Sequence, residues 1–264
     1  MSTAVKYLNF MITCWKLNLA GAMEFRTSFF MQVGMMLLNN VVWIFFWGVY
    51  FTRFPIMNGW EFTDVMMMWA VSSAGYGLSV TLFGNVSHLS RIIATGQLDT
   101  YLAQPKPVLL HVMISRMQIA GFGDILFGLI LFGVFGDLSL LGVVKFGLAL
   151  LIAMLIFTFF LVIAHSLAFY IGNAEGVAAQ FFMTFITFAT YPTDIFRGIG
   201  RLMLFTVLPA GFISYLPVGF LRDMNWTFTL TALGVALLLS VGGTWFFYRG
   251  LKRYGSGNMM SVRM

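Results

Sequence analysis

Charge is what this sequence has least of. Of its 264 residues only 9% are Asp, Glu, Lys or Arg, against about 25% in a soluble domain, so a mostly water-facing surface cannot be built from it. Cysteine is reduced to Cys14, which excludes an internal disulfide. The N-terminal stretch lacks the short apolar core and cleavage site of a secretory leader; Lys6, Lys16, Glu24 and Arg26 precede the first long apolar run. No GxxxxGK(S/T) stretch occurs, so the chain has no loop of that kind to hold nucleotide phosphates. His88 and His111 stand apart from each other and from any acid pair, which leaves no metal-site spacing. The serine of GYGLS, Ser79, has no histidine base spaced against it. The net charge of +6 would suggest nucleic acid on a wet surface. In a chain this apolar, basic residues report membrane topology first, and no nucleic-acid partner is expected.

What fills the sequence instead is 60% apolar residues, with 30 Phe and 19 Met. A spanning helix needs about 20 mostly apolar residues. Such runs lie between Arg26 and Arg53, from Phe62 to about Gly84, from about Val112 to Phe135, from about Phe146 to Tyr170, from just after Glu175 to Tyr191-Pro192, and from about Asn225 to Tyr248. Leu202–Leu221 is also long enough, but Pro209 and Pro217 interrupt it, and proline inside a helix removes a hydrogen bond and clashes with the preceding turn. Positive charge decides between six and seven spans. With six, one side holds ten basic residues (Lys6, Lys16, Arg26, Arg91, Lys106, Arg116, Arg249, Lys252, Arg253, Arg263) and the other five (Arg53, Lys145, Arg197, Arg201, Arg222). A seventh span would place seven inside and eight outside, so the positive-inside rule selects six, with both termini cytoplasmic. Residues 192–222 then form an outer re-entrant helical hairpin, packed on the bundle because non-helical backbone is tolerated only against protein or water. The fold class expected is all-α: one polytopic membrane domain over 1–264.

Three polar features stand out. In residues 1–26, Tyr7, Phe10, Met11, Cys14, Trp15, Leu17 and Leu19 make a rough apolar stripe, as in an amphipathic helix at the interface. At and just upstream of IIATGQLDTYLAQPKP (Ile92–Pro107), Asn85 is placed to cap a short helix whose Val86, Leu89 and Ile93 share a face, while Ser87, Ser90, Arg91 and Ala94 point elsewhere. Gly96 falls where a helix end needs positive φ, and Pro105 and Pro107 stiffen the return. Residues 85–107 therefore read as a rigid helix standing off the membrane, or as a plain connector. Within the spans, Asp124 either lines a cavity and attracts a cationic substrate or caps a helix near an interface. His165 reads as a packed, hydrogen-bonded residue rather than a proton carrier, although it too is a cavity candidate. The small residues around Gly75–Ser79 suit close helix approach, and Met66–Met68 suit lipid-facing or packing surface.

RIIATGQLDTYLAQPKPVL resembles the cytoplasmic-loop signature of ABC type-2 permeases, the membrane subunits of ATP-binding-cassette exporters, through Ile93, Gly96, Leu98, Asp99, Leu102 and Pro105. MEFRTSFFMQVGMMLLNNVVWIFFWGVYF and ATYPTDIFRGIGRLMLFTVLPAGFISYLPV are similar to the family's entry into the first span and its outer Tyr-Pro segment. The nearest likeness is to small six-span permeases of the bacterial inner membrane. The resemblance implies a coupling helix at 85–107 that docks on a separate ATPase through Gly96, Leu98, Asp99 and Pro105, with Arg91 as a further charged contact. It implies a second permease copy or paralogue, and a small-molecule substrate, hydrophobic or amphipathic, exported through the lipid bilayer by alternating access. No cofactor is expected on this chain; ATP and Mg belong to the partner. The rival reading is a stand-alone secondary transporter or channel, which would need a coupling-ion site in the membrane.

Overall fold

The computed structural model describes residues 3–171 and 174–255 and is helical throughout, with one isolated bridge, Met57 to Trp60, among the described residues. Arg263 lies outside them. Helices α1 (Thr3–Glu24), α2 (Arg26–Arg53) and α3 (Phe62–Phe83) are followed by a polar loop carrying α4 (Leu89–Ala94) and α5 (Asp99–Leu102). Then come α6 (Val108–Ile114), α7 (Gly121–Phe135), α8 (Leu140–Ser166), α9 (Ala174–Ala189), the short α10 (Ile199–Phe205) and α11 (Ala210–Ser214), and α12 (Trp226–Leu251). Four helical stretches are long and apolar enough to cross a membrane: α2, α3 continued to Ala94, α8 continued to Phe169, and α12. The apolar α7 and α9 are shorter. At 1.5 Å per residue they reach only about 22–24 Å, less than the hydrocarbon thickness of about 30 Å. The chain is an all-α polytopic membrane protein.

Successive long helices alternate in direction, which gives the bundle a loop end (α1, the α3–α7 connection, the α8–α9 turn) and a hairpin end (residues 54–61, 136–139 and 190–225). The basic residues divide as the six-span reading requires, Arg263 aside. Helix α3 is the axis. It is buried along nearly its whole length, Met66, Met67 and Met68 included, so those methionines face protein and not lipid. Its glycines set the distances. A Cβ on Gly77 would lie 2.6 Å from the Gly121 carbonyl oxygen of α7, and one on Gly75 would lie 2.6 Å from Ala153 Cβ of α8, the close approach expected of small residues. Three serines of α3 then bond to three neighbours. Ser72 Oγ donates to the Ala189 carbonyl of α9, Ser73 Oγ donates to the Asp124 carbonyl of α7, and Ser79 shares a hydrogen bond with Thr158 of α8 (2.8, 2.9 and 2.8 Å).

Two spans begin elsewhere than expected. The run from Val112 to Phe135 is not one helix but breaks between α6 and α7. The freed backbone there is satisfied by protein, as buried irregular backbone must be. Gln118 N donates to the Val80 carbonyl (3.0 Å) and Gln118 Nε2 to Ser87 Oγ (3.0 Å), while Asn18 Nδ2 of α1 donates to the Ile114 carbonyl (2.9 Å). Helix α8 starts at Leu140, not Phe146, because Ser139 caps it by accepting from Gly142 N at 3.1 Å. Just before it, hydrogen bonds from the Ser139 amide and hydroxyl hold the Asp137 carboxylate below its usual range. At the hairpin end the proline-broken segment folds back on the bundle. Leu208, Ala210, Phe212, Ile213 and Leu216 are buried, while Ile199, Leu202 and Val207 of the outer arm are exposed. Arg222 reaches Asp64 Oδ2 at 2.6 Å, and Trp60 Nε1 donates to Asp194 Oδ2 at 2.8 Å. These contacts tie the segment to the α2–α3 turn.

Candidate functional site

The polar loop is a packed module. Val86, Leu89, Ile92, Ile93 and Leu98 form a second hydrophobic core with Leu109, Val112, Met113 and Ile114, and it reaches Leu161 and Val162 of α8 and Phe247 of α12. The loop therefore lies down on the helix ends and does not stand off them, since its apolar face is buried there. Asn85 caps no helix. It is buried in a 3₁₀ turn, and its Nδ2 donates to Ser115 Oγ (2.7 Å) and the Val112 carbonyl (3.0 Å), which clamps the loop to the break before α7. Ser90, expected off the face of Val86, Leu89 and Ile93, is buried and meets His165 Nδ1 at 2.9 Å. Gly96 takes φ +76° just past the end of α4, the left-handed conformation that glycine adopts without strain.

The signature residues divide into an inside and an outside. Ile93 and Leu98 are fully buried, whereas Asp99, Pro105 and Leu102 (42% exposed) form the outer rim. Leu98 thus anchors the loop and presents no surface. Arg91 is exposed but joined to Glu175, at the start of α9, by a 2.8 Å ion pair. Helix α1 braces the same module: Trp15 Nε1 donates to the Leu82 carbonyl at 2.8 Å, and Lys106 Nζ sits 3.6 Å from the Phe10 ring centroid. Its inward stripe is Phe10, Met11, Cys14, Trp15 and Asn18, while Leu17 and Leu19 point outward. Beyond α12, Tyr254 packs on this module. Burial, and then the Asp99 carboxylate beside it, push its hydroxyl up to about 12, although no acceptor among the described residues stands in hydrogen-bonding geometry to it.

The second region is a cavity of about 400 Å³ between α2, α3, α7, α8 and α9. Asp124 forms part of its wall. Asn40, in the middle of α2, donates from Nδ2 to Asp124 Oδ1 at 2.7 Å; this bond and the one from Ser73 of α3 to the Asp124 carbonyl hold Asp124 inside the bundle. Asp124 is 3% exposed, and its Oδ2 has no partner among the described residues. It occupies the first turn of α7, where the helix dipole favours negative charge. Trp43 and Trp69 stack beside it with centroids 5.1 Å apart, and Tyr76 packs on Phe157 at 5.5 Å. His165 is not among the lining residues. It belongs to the loop end through Ser90, so the two cavity candidates separate. Asn40 and the Trp43–Trp69 pair were not singled out from the sequence. An amide in the apolar run of α2 is the one local signal that could have flagged Asn40.

A family model described as "ABC-2 family transporter protein" matches residues 37–257, most of α2 through the end of α12. No curated protein matches the chain.

Proposed function

The chain belongs to the ABC-2 transporter family, and on that premise we propose that it is an exporter's permease, moved by separate ATPase subunits that dock on the rim of residues 85–107. Membership makes it the membrane-spanning component, with ATP hydrolysis in partner subunits. The observation that carries the rest is the divided loop. A docking element must pass force into the bundle without yielding. Here the exposed Asp99, Leu102 and Pro105 are backed by a buried core shared with the ends of α8 and α12. A push on the rim is delivered to those two helices, and through the Arg91–Glu175 pair to the start of α9.

In this reading the loop end is cytoplasmic, in agreement with its excess of Lys and Arg, and the membrane is the bacterial inner membrane. The permease works as a dimer, with a second copy or a paralogue, and carries a hydrophobic or amphipathic compound by alternating access. The test is ATP-driven accumulation of an amphipathic dye in inverted vesicles holding this chain and the ATPase co-purified with it. Accumulation that needs both supports the reading; transport by the chain alone down an ion gradient overturns it. That second outcome is the secondary-transporter reading, and its one supporting observation is the unpartnered intramembrane carboxylate of Asp124.

A further inference from the structure

The composition of the cavity at Asp124 selects a ligand. A carboxylate buried between membrane-protein helices is costly unless something compensates its charge. Asn40 satisfies one oxygen and nothing among the described residues satisfies the other. No lysine or arginine among the described residues lines the cavity, so these walls do not supply the countercharge. Those walls are aromatic instead: the Trp43–Trp69 stack, Tyr76 and Phe157. Aromatic faces attract cations most strongly where water is excluded, and about 400 Å³ is room for an organic group of drug size. The cavity opens between α2 and α9, where the lining residues Asn39 and Thr187 are exposed. A proton or a small inorganic ion could neutralise Asp124 but would leave that aromatic volume empty.

We propose that this cavity binds a lipophilic organic cation, an ammonium or related onium, with its charge at Asp124 and its apolar body against Trp43, Trp69 and Tyr76. That the bound cation is cargo rests on the permease reading; that it binds does not.

The test is equilibrium dialysis of radiolabelled tetraphenylphosphonium against the full chain purified in detergent, with neutral triphenylphosphine oxide as competitor. The wild type saturates with the cation, and the neutral compound competes poorly. Asp124→Asn, which keeps the size of the side chain and the partnership with Asn40, weakens binding by about tenfold or more. Asp124→Glu retains most of it, and Trp69→Leu weakens it by about threefold or more. Affinity unchanged in Asp124→Asn, or equal competition by the neutral compound, overturns the site. Should Asp124→Asn fail to fold, unchanged affinity in Trp69→Leu overturns it. ATPase recruitment is measured separately on the same preparation. A chain that binds the cation yet recruits no ATPase loses the permease reading and keeps this site.

Discussion

Leu98 and Leu102 stand four residues apart in the same signature and should respond oppositely to truncation. Leu98 is fully buried in the core at the loop end. Removing a buried leucine side chain to alanine costs about 2–5 kcal/mol through lost transfer energy and the cavity left behind. Taking about 3 kcal/mol, and about 2–4 °C per kcal/mol for a chain of this size, the Leu98→Ala variant should melt about 6–12 °C below the wild type in detergent. Leu102 is 42% exposed, and surface truncations stay within about 0.5 kcal/mol, so Leu102→Ala should melt within about 2 °C of wild type. Affinity capture of the ATPase should reverse the order. Leu102→Ala loses the partner, while Leu98→Ala, handled well below its melting point, retains it. Equal melting points for the two variants, or a Leu102→Ala protein as unstable as Leu98→Ala, would refute the division of the signature into anchor and rim.

Other substitutions test other joints. Gly77→Ala places a methyl 2.6 Å from the Gly121 carbonyl oxygen and should cost about 1–3 kcal/mol by overpacking, read as a lower melting temperature. Gly96→Ala, at φ +76°, should cost about 1 kcal/mol and increase protease cutting in the loop without altering the helical circular dichroism. Asp64→Ala removes both the acceptor for the Glu61 amide and the Arg222 partner; a loss of about 1–3 kcal/mol should show as faster hydrogen exchange at the hairpin end. Arg91→Ala breaks only a half-exposed pair and should change stability by less than about 1 kcal/mol, with the difference vanishing at high salt.

How far residues can be read from sequence followed the range of the interaction that places them. Long apolar runs gave the direction and order of the bundle helices because a bilayer admits few alternatives. Pro209 and Pro217 marked the broken hairpin, and Gly96 the left-handed turn of the polar loop, since both effects are local to the backbone. The break before α7 was not legible. No proline announces it, and it is stabilised by Gln118 reaching out to Ser87 and by Asn18 and Asn85 reaching in from elsewhere. The placement of Asp124 depends on Asn40, 84 positions away, and the burial of Ser90 on His165, 75 positions away. Neither pairing has a local pattern. Composition marked Met66–Met68 as apolar without saying whether lipid or protein would cover them; α3 proved to be the central helix.

Whether the rim of the polar loop meets an ATPase can be asked directly by cross-linking. Cys14, the native cysteine, is first replaced by serine, and a Leu102→Cys chain is then captured from membranes with its partner ATPase. A short thiol cross-linker should join position 102 to the ATPase, and ATPase binding should shield that thiol from alkylation. Recovery of an ATPase with position 102 neither cross-linked nor shielded would show that force enters this permease somewhere other than the loop.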